Sequence, residues 1–285
     1  MSHDMVDKLS RQHGLHLPWY QQYAHYLNGL FHGDLGTSLR YEGRPVLAMI
    51  KNSLSISLIL GCQGLLFSII MGILIGSCTA LMRPSWKQKG LTLLSLIGTS
   101  LPSFIIATLL QYVLAVKWNL LPIARWGSFT HTILPTLALS IFPASGIAKL
   151  TRAHMESLKD KEFLVAARAK GLPPHKLVIK HMLRNTLLPL TTYLAPITTH
   201  LLTGSFVIEK IFSLPGFGAC MVSSISQRDY PVIAGTTLIY ATILMGNILL
   251  VDILYAFIDP RISLNPFRRV RKPPLSPSPQ LSHVL

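Results

Sequence analysis

Five apolar runs, each roughly 20 residues or more, constrain this chain more than any other feature, because about 20 apolar residues cross a hydrocarbon core of about 30 Å. They fall near 53–82, 91–116, 131–148, 186–208 and 232–258. Only helices or closed barrels satisfy every backbone polar group in lipid. Runs this long and this unalternating predict helices, so the expected fold class is all-α, a polytopic helical membrane protein. The first run is long enough to tilt or to begin outside the bilayer. The third is the weakest of the five, since Pro135, Pro143 and Gly146 interrupt it.

Composition agrees: half of the 285 residues are hydrophobic and 13% are charged. The net charge of +15 raises nucleic acid as a partner. The basic residues sit in loops and tail, however, and form no stripe interleaved with aromatics, which points to basic cytoplasmic surfaces instead. Cys62, Cys78 and Cys220 have no CxxC spacing, so no metal or redox site is expected from them. His13 and His16 share a helical face but lack further ligands, which suits a surface pair.

Charge alternation orients the runs. The connections after the first and third runs, with the tail, hold seventeen Lys and Arg; the connections after the second and fourth hold four. By the positive-inside rule 83–90, 149–185 and the C-terminus are cytoplasmic. Residues 1–52 then form an extracytoplasmic region with no signal peptide before it, so a further upstream span is expected. The alternative is a five-span protein with its N-terminus outside. Residues 53–258 form the membrane domain, and 259–285 a basic, Pro- and Ser-rich cytoplasmic tail.

The segment 160–189 is unusually ordered for a short cytoplasmic connection. Asp160 is expected as the N-cap of a helix of about ten residues, with Glu162 in its first turn complementing the helix dipole. Gly171 suits the left-handed position that ends it, and Pro173 follows. Pro174 then opens a second helix running through Arg184 into the fourth span. Phe163, Ala166, Ala167 and Lys170 share one side of the first helix. Two readings fit that face: a helix docked in a groove of another protein, and an interfacial helix resting on anionic lipid.

Motifs argue against several other functions, with an ion-coupled transporter or channel kept as the alternative of another class. No GxxxxGK[ST] occurs, so the chain has no P-loop for ATP. No HExxH or GxSxG is present. An ion-coupled transporter or channel carries ionisable residues inside its spans, yet the first four runs contain no Asp, Glu, Lys or Arg. Asp252 lies in the fifth run, where pairing with Arg261 at the interface is expected. The LPGFG at 214–218 suits either a tight re-entrant turn that meets a ligand or delivering protein, or a plain connecting loop.

The stretch AARAKG–LPPHKLVIKHMLRNTLLP resembles the cytoplasmic "EAA" loop of permease subunits of ATP-binding-cassette importers. GDLGTSL at 33–39, EKIFSLPGFG at 209–218, SQRDYPV at 226–232 and VDILYAFIDPRI at 251–262 are similar to the dipeptide/oligopeptide/nickel branch, in family order. Val165 stands where the motif's Glu is usual, and Pro189 lies further from Gly171 than in the general motif; both departures resemble the peptide branch. The resemblance implies a type I importer transmembrane domain of six spans, of which five are visible here, in a bacterial inner membrane. It implies that Glu162, Phe163, Ala166, Ala167, Arg168, Lys170 and Gly171 dock on a separate ATPase, with His175, His181 and Arg184 transmitting movement. Leu214, Pro215, Gly216, Phe217 and Gly218 are the implied contact with a binding protein. The implied partners are a second permease, two ATPase subunits that use ATP-Mg, and an extracytoplasmic solute-binding protein, with membrane lipid around them. No cofactor in the chain itself and no nucleic acid are expected. A nickel importer of the same branch is the alternative cargo.

Overall fold

The computed structural model describes residues 17–41 and 43–258, without the side chains of 188, 195, 252 and 254–258. The expected His13/His16 pair, the Asp252–Arg261 pair and the 259–285 tail lie outside the described residues. Among the described residues the fold is all-α, as expected, with a single isolated β-bridge between Thr37 and Pro45.

A peripheral helix, α1 (Trp19–Phe31), precedes the bundle. The long helix α2 (Val46–Leu81) has 36 residues, about 54 Å. It begins seven residues earlier than the apolar run because Pro45 supplies a ready start, and Lys51 and Asn52 are accommodated at its end. Along α2 the buried positions Ser57, Gly61, Gly64, Ser68, Gly72 and Gly76 form one continuous small-residue stripe. Gly72 and Gly76, a GxxxG pair, are therefore part of this continuous contact face.

That face packs on α5 (Thr130–Leu158). The pairs advance together, Gln63 with Thr136, Gly64 with Ser140, Gly72 with Ile147 and Gly76 with Thr151, so α2 and α5 run parallel. A Cβ on Gly76 would lie 2.5 Å from the Ala148 carbonyl oxygen, so glycine sets the approach of the two backbones. The proline-interrupted third run thus makes the best-buried helix of the fold. Hydroxyls also tie the two helices together: Ser68 Oγ donates to the Ser140 carbonyl at 3.2 Å and Ser140 Oγ to the Gly64 carbonyl at 3.2 Å. The helix also continues through Leu158, ten residues past the expected end. Lys and Arg are good helix formers, and Arg152 pairs with Glu156 one turn on at 2.9 Å.

Parallel neighbours need a return path, and the second run provides it as two pieces. Helix α3 (Trp86–Ser100) and helix α4 (Ser103–Leu110), which continues as π-helical turns over Gln111–Lys117, meet at 113°. The expected unbroken span is therefore corrected. Pro102 has no N–H and forces Leu101 to an extended ψ of 135°, which ends the helix there.

The chain then forms α6 (Glu162–Ala169), a turn α7 (Pro174–Lys176), π-helical turns at Leu177–Leu183, and α8 (Arg184–Leu202). The expected fourth run to 208 ends early: Gly204 takes φ +80° and a short α9 (Phe206–Ile211) follows. Helices α10 (Phe217–Gln227) and α11 (Tyr230–Ile258) complete the order. Leu201 packs at Gly61, making α8 antiparallel to α2, and Gly235 packs on Val46 and Ile50, making α11 parallel to it. Among the described residues three helices are long and apolar enough to cross a membrane, Val46–Leu81, Thr130–Leu158 and Tyr230–Val251, and the bent α3–α4 pair makes up to a fourth. Helix α8 is not among them, since Arg184, Asn185, His200 and several threonines dilute its 19 residues.

Candidate coupling helix and the opposite end of the bundle

The bundle has two ends with separate cores. At the Leu81 end, Ala80, Met155, Leu164, Ala167, Leu177 and Met182 form one cluster, joined by Leu172 and Leu158. This cluster is a seat for α6. An isolated eight-residue helix does not persist in water, so its order comes from this seat and its caps. Lys161 takes the N-cap position instead of the expected Asp160, with no side-chain cap, and the helix has eight residues in place of about ten. Its other end is a Schellman closure: Gly171 N–H donates to the Arg168 carbonyl at 2.9 Å, and Leu172 N–H to the Ala167 carbonyl at 3.3 Å. Gly171 has φ +74°, the left-handed conformation expected of it.

The seat divides the predicted face. Leu164 is 0% exposed and Ala167 is 6% exposed, both turned into the chain's own core. Ala167 is thus corrected from a docking residue to a seating residue, because i and i+3 place it beside Leu164. Phe163 is 42% exposed, and Glu162, Ala166, Arg168, Lys170 and Gly171 are also exposed. These form a projecting surface with one aromatic, small neighbours and two cations. His175 and Arg184 are exposed and His181 is half-buried along the turns leading into α8. The seat residue Leu164 escaped the sequence reading, although an apolar residue just after a helix-ending glycine, here Leu172, signals a Schellman closure packed on a core.

The other end is knotted by a buried carboxylate. Glu209, in the short α9 outside the long helices, is 1% exposed. Its Oε1 accepts from Ser57 Oγ at 2.7 Å and its Oε2 from the Ala219 N–H at 2.7 Å. Ser57 Oγ in turn accepts from the Phe217 N–H at 2.7 Å. Burial pushes the Glu209 carboxyl above the usual carboxylate range, against the lowering effect of the Ser57 hydroxyl and the Ala219 and Gly218 amides. A side chain on Gly216 would meet the Glu209 carboxyl directly, which accounts for that glycine.

The LPGFG segment is therefore mostly structural. Phe217 is 1% exposed in a cluster with Leu35, Val46, Ile50 and Val232, Leu214 and Gly216 are buried, and Gly218 is half-buried. Pro215 alone of the five is exposed. Asp229 ties in the GDLGTSL segment, accepting from Ser38 Oγ at 2.5 Å and from the Leu39 N–H at 3.1 Å. A cleft of about 710 Å³ lies beside this knot, with Arg44, Asn52, Lys210, Pro215 and Gln227 in its wall. Glu209 and Asp229 were missed because neither lies in an apolar run; only the fold carries them inside. No group of His, Cys, Asp and Glu able to hold a metal exists among the described residues.

Comparison with known proteins gives this geometry a family. Residues 68–264 match the model of the binding-protein-dependent transport system inner membrane component. The dipeptide transport system permease protein DppB of Lactococcus lactis subsp. cremoris (strain MG1363) is 43% identical over 92% of this chain and 86% of its own length. The oligopeptide transport system permease protein OppB of Haemophilus influenzae (strain ATCC 51907 / DSM 11121 / KW20 / Rd) is 35% identical over 91% of this chain and 85% of its own. The fold is similar to a chain of the MetNI methionine ABC transporter in its inward-facing conformations, with TM-score 0.60 and 15% identity over 75% of this chain and 97% of that one. The chain belongs to the inner membrane components of binding-protein-dependent transport systems, in their dipeptide and oligopeptide permease branch.

Proposed function

We propose that this chain forms half of the pathway of an ATP-driven importer of di- and oligopeptides, powered by two separate ATPase subunits, one of which docks on α6. The observation that carries the reading is the projecting helix itself: Leu164 and Ala167 hold it on the bundle while Phe163, Ala166 and Lys170 face outward. A rigidly seated helix transmits a push to the spans, which a mobile loop does not. After the Gly171–Pro173 turn, helical backbone is continuous from Pro174 through His175 and His181 into α8, so movement of a docked subunit reaches α8 through that turn and the seat shared with Leu177 and Met182. The chain has no P-loop of its own, which is why an external ATPase, the user of ATP-Mg, is needed. Peptide as cargo, in preference to nickel, follows the names of the relatives.

In this reading the Leu81 end and the C-terminus are cytoplasmic, and the Val46 end receives cargo from a solute-binding protein. The 149–185 connection, now beginning after Leu158, is the coupling loop, and a second, similar permease completes the pathway. The test is co-recovery. Tagged chain expressed with its genomic neighbours should bring down ATPase subunits, and Gly171→Asp should sharply reduce peptide uptake. Recovery of no ATPase, together with wild-type uptake in Gly171→Asp, would rule out the coupling role.

A further inference from the structure

The break between α3 and α4 leaves backbone polar groups without helical partners partway along the bundle, on its half-exposed side. Pro102 has no N–H, so the Gly98 carbonyl loses its usual donor, and the carbonyls of 99–101 end the helix with it. Their depth follows from packing. Gly98 lies against Ile141 and Ser145, which are roughly 16 to 23 Å along α5 from its start at Thr130. That is well inside a hydrocarbon core of about 30 Å. Irregular backbone at such depth persists only where protein buries it or where it lines a water-filled cavity.

The cavity is there. About 500 Å³ lie between the break, α5 and α8. Phe142 and Ile197 supply apolar wall, and Ser103, His200 and Ser205 supply polar atoms. No Asp, Glu, Lys or Arg lines it. The side chains of Ser103, His200 and Ser205 make no hydrogen bond among the described residues. The volume lies within the range of small-ligand pockets, about 300–1,000 Å³.

We propose that this cavity is a transit site for the main chain of a short peptide. The freed carbonyls of 99–101 accept from the peptide's ammonium and amide groups, His200, Ser103 and Ser205 meet its carbonyl and carboxylate oxygens, and the apolar wall takes its side chains. A hydroxyl-rich lining binds what all peptides share, and Lys149, whose Nζ donates to the lining residue Thr99 at 2.5 Å, is a cation beside it. That lining also holds cargo weakly enough to release it. The inference rests on the peptide-import reading above.

The test uses the assembled transporter in proteoliposomes with radiolabelled dialanine. The double variant His200→Ala/Ser103→Ala should lower the saturating rate of ATP-driven uptake about tenfold, as loss of hydrogen bonds to charged cargo groups does. Its half-saturating concentration, set where cargo is delivered, should stay the same, as should recovery of the complex. Ser205→Trp, which fills the cavity, should block uptake with the complex still assembled. Wild-type rates in an assembled His200→Ala/Ser103→Ala complex would overturn the site. A wild-type complex that moves no dialanine with ATP would instead refute the import reading, and the transit site with it.

Discussion

Truncating Leu164 to alanine should unseat α6 while leaving the rest of the bundle folded. Leu164 is fully buried among Ala80, Met155, Leu177 and Met182. Removing a buried leucine side chain costs about 2–5 kcal/mol, depending on how far the site collapses. The segment has little else to hold it: eight residues, no side-chain N-cap, and the small Ala167 beside Leu164. Taking about 3 kcal/mol, local opening becomes on the order of 100-fold more populated, at 1.4 kcal/mol per decade. Amide hydrogen exchange over 162–170 reads this directly and should accelerate by that factor, with α2 and α5 unchanged. Phe163→Ala is the matched contrast. Phe163 is half-exposed, so its loss should leave exchange unaltered while reducing ATPase recovery. Wild-type exchange across 162–170 in Leu164→Ala would refute the seat, and with it the rigid-lever argument.

Other expectations follow from the same structure. Gly76→Ala places a methyl 2.5 Å from the Ala148 carbonyl oxygen and 2.6 Å from Thr151 Cβ, so overpacking should cost about 1–3 kcal/mol; a lowered thermal midpoint in detergent checks it. Gly90→Ala meets nothing within 4 Å and should be neutral or slightly stabilising by the same measurement, as helix propensity favours alanine. The Glu209 carboxyl is raised above its ordinary 4.5 by burial, so the folded state holds its proton more tightly than the unfolded chain. That stabilisation is complete below 4.5 and is lost as pH rises through the folded value. The thermal midpoint should therefore decline over that window, with a smaller slope in Glu209→Gln; identical slopes in the two proteins would contradict the assignment.

The sequence revealed the helices better than their breaks. Span-length apolar runs located α2, α5 and α11 because bilayer thickness acts on length and composition alone. The second run hid its 113° bend because Leu101 and Pro102 are apolar too, and hydropathy is blind to a missing N–H. The third run looks weakest from Pro135 and Pro143, yet α5 is central, since the small residues of α2 let the two backbones approach closely along its length. In the segment 160–189 Gly171 was legible, as a left-handed turn suits glycine there. Which side of α6 faces inward was not, because Ala166 and Ala167 are chemically identical and their neighbours across the seat come from α2, α5 and Leu177–Leu183. Glu209 and Asp229 were read as loop residues for the same reason: the burial that makes them matter comes from Ser57 and Ser38, 152 and 191 residues away.

The source of energy for transport is the central claim, and uptake by the reconstituted complex tests it most directly. Proteoliposomes holding this chain with its permease and ATPase partners should accumulate radiolabelled dialanine when ATP and the binding protein are supplied. Dissipating the proton gradient should leave that accumulation unchanged. Accumulation driven by an imposed proton gradient after ATP is exhausted would contradict the account.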